Sequence, residues 1–150
     1  FIFQWTCSKL DNMSKQFSVL ISNKHSEISI IREKFESFAL KNEVENNIRR
    51  NIQIALDEIL SNTIQYGYEN NSVDKIKVKF LIDHTNLVIE IIDNAKTYNI
   101  LEKDDPDISK SIEEKPLGGL GIYLVKNLMS KVKYERVNGT NHLTLIKKLN

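Results

Sequence analysis

The sequence is poor in cysteine, proline and glycine, and its charges are nearly balanced. Of its 150 residues, one is cysteine and two are proline. A single cysteine excludes an intrachain disulfide framework and a cysteine metal cluster, which is consistent with the reducing cytoplasm. With 21 basic and 20 acidic residues, the net charge is +1, so no field would hold nucleic acid or an anionic membrane nonspecifically. We therefore expect a cytoplasmic protein without a direct nucleic-acid or membrane partner.

Long hydrophobic runs and closely spaced histidines are also absent from the sequence. No stretch approaches the length of a membrane span, and no secretory signal pattern is present. The three histidines, His25, His84 and His142, lie far apart without the spacing of metal ligands. A chain of this length with 41% hydrophobic residues is sufficient for one domain with a full core.

The N-terminal segment differs from the rest of the chain. It opens with the apolar run FIFQW and has no starting methionine, whereas Met13 precedes a segment that reads like a natural beginning. We interpret residues 1–12 as an N-terminal extension or a segment added by cloning. Residues 13–150 are expected to form the functional domain.

The spacing of apolar residues predicts the elements of the first 93 residues. Alternation predicts a strand at residues 17–21, and apolar residues at helical spacing predict helices at 28–38 and from about 44 to 66. Two further strands are predicted at 76–82 and 87–93, joined by a turn.

The second half of the chain begins with a long loop. Residues 94 to about 116 lack periodicity and contain both prolines, and a loop of this length inside a domain is more often a lid than a linker. A helix at 122–129 follows, and Asn138-Gly139 is a strong turn signal between two final strands. Because helices and strands are grouped, the predicted fold is an α+β two-layer sandwich with a mixed, mostly antiparallel sheet and helices on one face.

Three of the five glycines lie within four residues, at Gly118, Gly119 and Gly121. A glycine-rich turn that opens a helix presents unpaired N–H groups and the positive end of the helix dipole to an anion such as phosphate. The alternative is a tight turn before a packed helix, and the cluster alone favours neither interpretation.

Glu58 and Asn62 lie four residues apart on the long predicted helix. Four residues advance a helix by about one turn, so the two side chains are expected to point the same way, roughly 6 Å apart along the axis. A carboxylate can accept a proton from a nucleophile, and an asparagine oxygen suits Mg²⁺. Taken alone, two solvated polar residues on a helix are the commoner explanation of such a pair.

Asp93 ends a nearly all-apolar strand where the long loop begins. Its carboxylate can accept a hydrogen bond from an amino group such as that of adenine. Taken alone, the commoner role of an aspartate there is to start a turn with Asn94. The order of the features along the chain favours the functional interpretation of each one: Glu58 and Asn62 on a helix, then Asp93 at a strand end, then the long loop and the glycine cluster.

That order resembles the ATPase superfamily shared by gyrase B, histidine kinases, heat-shock chaperones and the mismatch-repair MutL proteins. Within it the chain is most similar to the anti-sigma factor serine/threonine kinases, over residues from about 17 to 149. Residues 56–68 (LDEILSNTIQYGY) resemble the N box of that family, and residues 89–95 (IEIIDNA) resemble its adenine-binding box. Residues 116–125 (PLGGLGIYLV) resemble its second glycine box, with 141–145 (NHLTL) following at a similar distance.

The resemblance implies a histidine kinase-like ATP-binding domain over residues 13–150, with the Bergerat-type fold and with ATP and Mg²⁺ as cofactors. Glu58 would be the general base and Asn62 the Mg²⁺ ligand. Asp93 would bind the adenine amino group, with Thr144 behind it through water. Further ATP contacts would come from Ala95, Lys115, Gly118, Gly119, Leu120, Gly121 and Ile122.

The resemblance also implies partners. A protein of this family phosphorylates a serine of an antagonist protein under a closed lid and sequesters a sigma factor. Both proteins are therefore expected partners, and formation of a homodimer is left open.

Two residues depart from the family pattern. Ala95 stands where the family usually has glycine, which adds a Cβ beside the expected base, and Tyr66 stands where relatives often have histidine. One alternative is therefore a nucleotide-sensing module without phosphotransfer. Another alternative is the catalytic half of a histidine kinase. Against this alternative, His25 lies too close to the opening strand to be the phosphoacceptor.

Overall fold

The computed structural model describes residues 15–69, 71–102, 104–107, 109 and 119–150, in which five strands and three helices are formed. The predicted order β-α-α-β-β-loop-α-β-β is confirmed. The strands are β1 (Gln16–Ser22), β2 (Lys75–Asp83), β3 (Asn86–Asp93), β4 (Lys131–Val137) and β5 (Thr140–Lys148). The helices are α1 (Ile28–Lys41), α2 (Asn46–Tyr66) and α3 (Gly119–Leu128).

The strands form one sheet in the order β1-β2-β3-β5-β4. All four pairings in the described part of the chain are antiparallel, so the expectation of a mixed sheet was too broad. Hairpins connect β2 to β3 and β4 to β5, while the long segment that contains α3 lets β5 return beside β3. This pairing places Asp93, the last residue of β3, opposite Asn141 of β5.

The core lies between one face of the sheet and the helices. Alternate residues of β2 and β3 are buried, among them Val78, Phe80, Ile89 and Ile91, and they share a single apolar cluster with residues of all three helices. The intervening residues of both strands are exposed or half-buried, because successive side chains of a strand point to opposite faces. The predicted two-layer arrangement with helices on one face is thus confirmed.

The turn that closes the last hairpin follows the sequence signal. Asn138 and Gly139 have φ of 51° and 79°, which are the left-handed values that a two-residue hairpin turn requires. Strands β4 and β5 then pair from Val137–Thr140 outward, so that Arg136 lies opposite Asn141.

Two features in the second half of the chain differ from the sequence-based prediction. Helix α3 begins at Gly119 instead of residue 122, because glycine adopts helical φ and ψ as readily as turn values. The predicted long loop also contains local structure. It contains a 3₁₀ turn at Ile100–Glu102 in which Ile100 is buried, and Nζ of Lys126 lies 2.9 Å from the Asp105 carboxylate. Lys115, Pro116 and Gly118 lie outside the described residues.

Candidate functional site

A pocket of about 760 Å³, including its solvent-filled mouth, opens beside α2, the end of β3 and the segment that follows β3. Four of the residues predicted from the sequence line it, together with side chains that the sequence reading did not select. The lining includes Asn62, Asp93, Ala95, Ile122, Thr63, Tyr98, Tyr134 and Asn141.

The Asp93 carboxylate is buried at this pocket, with 6% of the residue exposed. Its Oδ1 accepts hydrogen bonds from the Ala95 backbone N–H at 3.0 Å and from Nδ2 of Asn141 at 2.9 Å. The described residues place no donor on Oδ2. One oxygen of Asp93 is therefore occupied by the protein, and the other is left for a ligand.

Asn141 is the second buried polar residue at the site, with 5% exposed. Its Oδ1 accepts hydrogen bonds from the Tyr134 hydroxyl at 2.5 Å and from Nη1 of Arg136 at 2.7 Å. Its Nδ2 also approaches the carbonyl oxygens of Ala95 and Lys96 at 3.1 Å each. This network holds the Asp93–Lys96 turn against β4 and β5.

Thr144 does not occupy the position that we expected. In the β3–β5 register it lies opposite Glu90, and it alternates with the buried residues Leu143 and Leu145, so its side chain is on the sheet face away from the helices. The pocket lies on the helix side. Asn141, three residues earlier and on the correct face, is the residue that lies behind Asp93.

Glu58 and Asn62 point the same way from α2, as the helical spacing predicts. Nδ2 of Asn62 donates a hydrogen bond to Oε1 of Glu58 over 2.8 Å. Because its nitrogen is bound to Glu58, the carboxamide oxygen is the atom of Asn62 that remains to bind a cation. Asn62 lines the pocket, and Glu58 adjoins it through Asn62.

Gly121 has a structural role that the sequence did not indicate. A Cβ built on Gly121 would lie 1.9 Å from Oε1 of Glu58, so α3 contacts the Glu58 carboxylate through a position without a side chain. The present position of the Glu58 carboxylate therefore depends on the missing side chain at Gly121, whatever anion the helix start binds. Leu120, by contrast, is half exposed, and Ile122 is buried at the pocket.

Substitution of Gly121 by alanine is therefore expected to move the Glu58 carboxylate with little loss of stability. The clashing atom is the end of a flexible side chain, so the new methyl group displaces it without moving the backbone. We expect Gly121→Ala to unfold thermally near the wild-type temperature but to lose at least about tenfold in any activity that depends on Glu58. Loss of activity accompanied by a large drop in unfolding temperature would contradict this account.

Ala95, the departure from the family pattern, packs against Gly67 at the end of α2. Ala95 is 3% exposed, and a Cβ built on Gly67 would lie 2.7 Å from the Ala95 Cβ and 2.5 Å from the Thr63 carbonyl oxygen. The methyl group of Ala95 thus occupies space that a side chain at position 67 would need. The backbone N–H of Lys96 donates to the Gly67 carbonyl at 2.9 Å and ties the two segments together.

We predict that Gly67→Ala destabilises the fold by about 1–3 kcal/mol, the usual cost of overpacking. The double variant Gly67→Ala/Ala95→Gly should recover only part of this loss, because the contact with the Thr63 carbonyl remains. Urea unfolding of the two variants and the wild type measures both values. Complete recovery in the double variant would show that the backbone contact is unimportant.

The electrostatics of the pocket are set by burial. Desolvation raises the pKa of Asp93 above its ordinary value, with Asp74 adding to the increase, while the hydrogen bonds from Asn141 and Ala95 and the charge of Arg136 oppose it. Burial also raises the pKa of Tyr68, and Asp93 and Asp74 act in the same direction. Among the described residues no partner is placed on the buried Tyr68 hydroxyl.

The raised pKa of Asp93 predicts a pH dependence of stability. Between the ordinary aspartate pKa of about 3.9 and the higher native value, the folded state binds more protons at this group than the unfolded state does. The contribution of Asp93 to the unfolding free energy therefore falls as pH rises through this window. We expect the difference between wild type and Asp93→Asn, measured by urea unfolding, to show this slope; a flat difference would contradict it.

No group of three or more histidine, cysteine, aspartate or glutamate side chains that could hold a metal ion exists within the described part of the chain. In the same ranges of the chain, no helix is long and apolar enough to cross a membrane.

Comparison with known proteins assigns the chain to a family. The chain matches the family model described as the histidine kinase-like ATPase domain over residues 21–147. It therefore belongs to that family. The predicted boundary between residues 1–12 and 13–150 stays a prediction, since the matched range begins further along the chain.

Curated relatives are named as protein kinases. The chain is 26% identical over 110 residues to the serine/threonine-protein kinase BtrW of Bordetella bronchiseptica, which covers 73% of this chain and 78% of that relative. It is 34% identical over 86 residues to the serine-protein kinase RsbW of Bacillus thuringiensis, covering 55% of this chain and 53% of that relative. The chain thus spans about half the length of the Bacillus protein.

A solved structure shares the fold. The crystal structure of the RsbU and RsbW domains of Rv1364c from Mycobacterium tuberculosis aligns with 89% of this chain and 32% of its own, with a TM-score of 0.64 and 15% sequence identity. At this identity the likeness concerns the fold alone, and it supports the fold class predicted from the sequence.

Proposed function

We propose that this domain binds ATP with Mg²⁺ in the described pocket and transfers the γ-phosphate to a serine or threonine hydroxyl of a protein. The observation that supports the proposal is the buried Asp93 carboxylate at the pocket, whose Oδ1 is bound by the protein while the described residues place no donor on its Oδ2. The adenine amino group is a donor that this oxygen can accept. Guanine presents a carbonyl at the same place and would leave the oxygen without a donor.

The residues at the other side of the pocket suit phosphoryl transfer. Glu58 would accept the proton of the attacking hydroxyl, and Asn62 would contribute its oxygen to a Mg²⁺ ion. The ion, when bound, would neutralise charge on the phosphates. The first turn of α3, at Gly119 and Gly121, would present backbone N–H groups and the positive end of the helix dipole to the phosphates. Lys115 and Gly118 stay predicted ligands outside the described residues.

The proposed partners are those that the family resemblance implies, and the names of the relatives support the kinase activity. We propose that the phosphorylated protein is an anti-sigma-factor antagonist and that the chain sequesters a sigma factor in the cytoplasm. Serine or serine/threonine kinase activity is named for both curated relatives described above. Within the described residues, the sheet face opposite the core carries no helix, and it would be available to a partner or a second copy.

Two measurements test the proposal. Calorimetry should show ADP binding that strengthens with Mg²⁺ and exceeds GDP binding at least about tenfold. Labelled γ-phosphate should then pass to a candidate antagonist, with the modified serine located by mass spectrometry. Equal affinity for ADP and GDP would overturn the adenine assignment.

A second candidate function is a nucleotide sensor without phosphotransfer. The observation that favours it is Ala95, whose methyl group lies at the pocket where the family usually has no side chain. The sensor function would be supported if the protein binds ATP tightly and binds a sigma factor in a nucleotide-dependent way, but transfers no labelled phosphate to an antagonist protein.

A further inference from the structure

The hydrogen-bond network behind Asp93 includes Arg136, a residue to which the family resemblance assigns no role. Nη1 of Arg136 donates to Oδ1 of Asn141 at 2.7 Å and to the carbonyl oxygen of Ala95 at 3.0 Å. Arg136 is itself exposed near the end of β4, and it spans 41 residues in sequence to reach the turn after β3. Its guanidinium therefore connects an edge strand to the adenine side of the pocket.

The Arg136 guanidinium acts on how the Asn141 carboxamide is oriented, together with the carbonyl oxygens of Ala95 and Lys96, which accept hydrogen bonds from its nitrogen. A guanidinium has only donors, so the atom of Asn141 that faces it must be the oxygen. The Tyr134 hydroxyl donates to the same oxygen at 2.5 Å and reinforces this orientation. The nitrogen of Asn141 must then face the opposite way, toward Oδ1 of Asp93.

The orientation of Asn141 determines in turn what Asp93 offers to a ligand. Oδ1 receives the Asn141 and Ala95 donors, so a base that enters the pocket meets only Oδ2, which acts purely as an acceptor while the carboxyl group is ionised. If the Asn141 carboxamide were reversed, its oxygen would face Oδ1 and would favour a protonated Asp93 that can donate. A donating Asp93 would suit a base that carries a carbonyl group.

We propose that Arg136 is a positioning residue that, with Tyr134, holds the Asn141 oxygen away from Asp93 and thereby makes Asp93 an acceptor selective for bases with an exocyclic amino group. The identity of the ligand in this inference rests on the proposed function, whereas the geometry around Asn141 does not depend on it. Asp93 is also faced by Asp74, which precedes β2, and by Tyr68, which follows α2, and both stay unchanged when Arg136 is replaced.

The test compares Arg136→Met with Arg50→Met, which removes the same group from an exposed position on α2. In ligand-free protein, the pKa of Asp93 is followed by carboxyl-carbon NMR, with its signal assigned from Asp93→Asn. We expect Arg136→Met to raise this pKa, and Arg50→Met to leave it unchanged. The preference for ADP over IDP, whose base carries a carbonyl in place of the amino group, should fall about tenfold in Arg136→Met only.

An unchanged pKa of Asp93 together with an unchanged ADP preference in Arg136→Met would overturn the inference. If Arg136→Met does not fold, Tyr134→Phe removes a donor to the same Asn141 oxygen without loss of ring volume, and it should raise the pKa of Asp93 by a smaller amount. A wild type that binds no adenine nucleotide would overturn the proposed function. The positioning role would then be supported if Tyr134→Phe, which leaves every charge in place, raises the pKa of Asp93, and overturned if it does not.

Discussion

Replacement of Glu58 by glutamine is expected to lower phosphotransfer by about 10²–10⁴-fold and to leave the affinity for MgATP nearly unchanged. Glutamine keeps the length of the side chain and an oxygen that can accept the hydrogen bond from Asn62, so only the basicity of the group is removed. Single-turnover transfer to an antagonist protein measures the first quantity, and calorimetry measures the second.

The matched control is Glu33→Gln, which makes the same change at an exposed position of α1. Asn62→Ala should differ from Glu58→Gln by weakening MgATP binding as well as transfer, because loss of a Mg²⁺ ligand affects the ground state and the transition state. If Glu58→Gln transfers phosphate at the wild-type rate, Glu58 is a helix residue that merely holds Asn62. Another base would then be required.

Much of the fold was predictable because it rests on local patterns. Alternation in β2 and β3, helical spacing in α1 and α2, and the Asn138-Gly139 turn are properties of neighbouring residues, and each produced the expected element. The start of α3 was missed since glycine is compatible with both turn and helix, and nothing local separates the two.

The parts of the site that depend on contacts between residues distant in sequence were harder to predict from the sequence. Gly121 lies against Glu58, and Gly67 lies against Ala95, but neither contact leaves a periodic signal. Asn141, by contrast, did leave a periodic signal in the sequence. It occupies a position that alternates with the buried Leu143, and a polar residue on an apolar strand face requires a buried partner.

The register of the last hairpin would have added Arg136 to the site. A two-residue turn at Asn138-Gly139 places Arg136 opposite Asn141, and this pairing follows from the turn length alone. Thr144 was chosen instead by resemblance, although it lies an odd number of residues from Asn141 and hence on the other face of the strand.

Replacement of Asp93 by asparagine is expected to weaken ADP binding by about 1.5–3 kcal/mol, the worth of a hydrogen bond to a charged group. The structure explains why the asparagine would present a donor to the base. Ala95 and Asn141 both donate to Oδ1, so the oxygen of an introduced carboxamide is held there, and its NH₂ group replaces Oδ2 at the pocket. A donor then faces the amino group of adenine, which is also a donor.

The same substitution should improve the fit of a base with a carbonyl group. We expect the affinity of Asp93→Asn for IDP relative to ADP to rise above the wild-type ratio, as measured by calorimetry with Mg²⁺ present. Asp74→Asn is the control, since Asp74 influences the charge at Asp93 but does not line the pocket. Equal ADP affinity in wild type and Asp93→Asn would rule out Asp93 as the adenine acceptor. A weaker affinity for ADP and IDP alike would mean that Asp93 shapes the pocket without selecting the base.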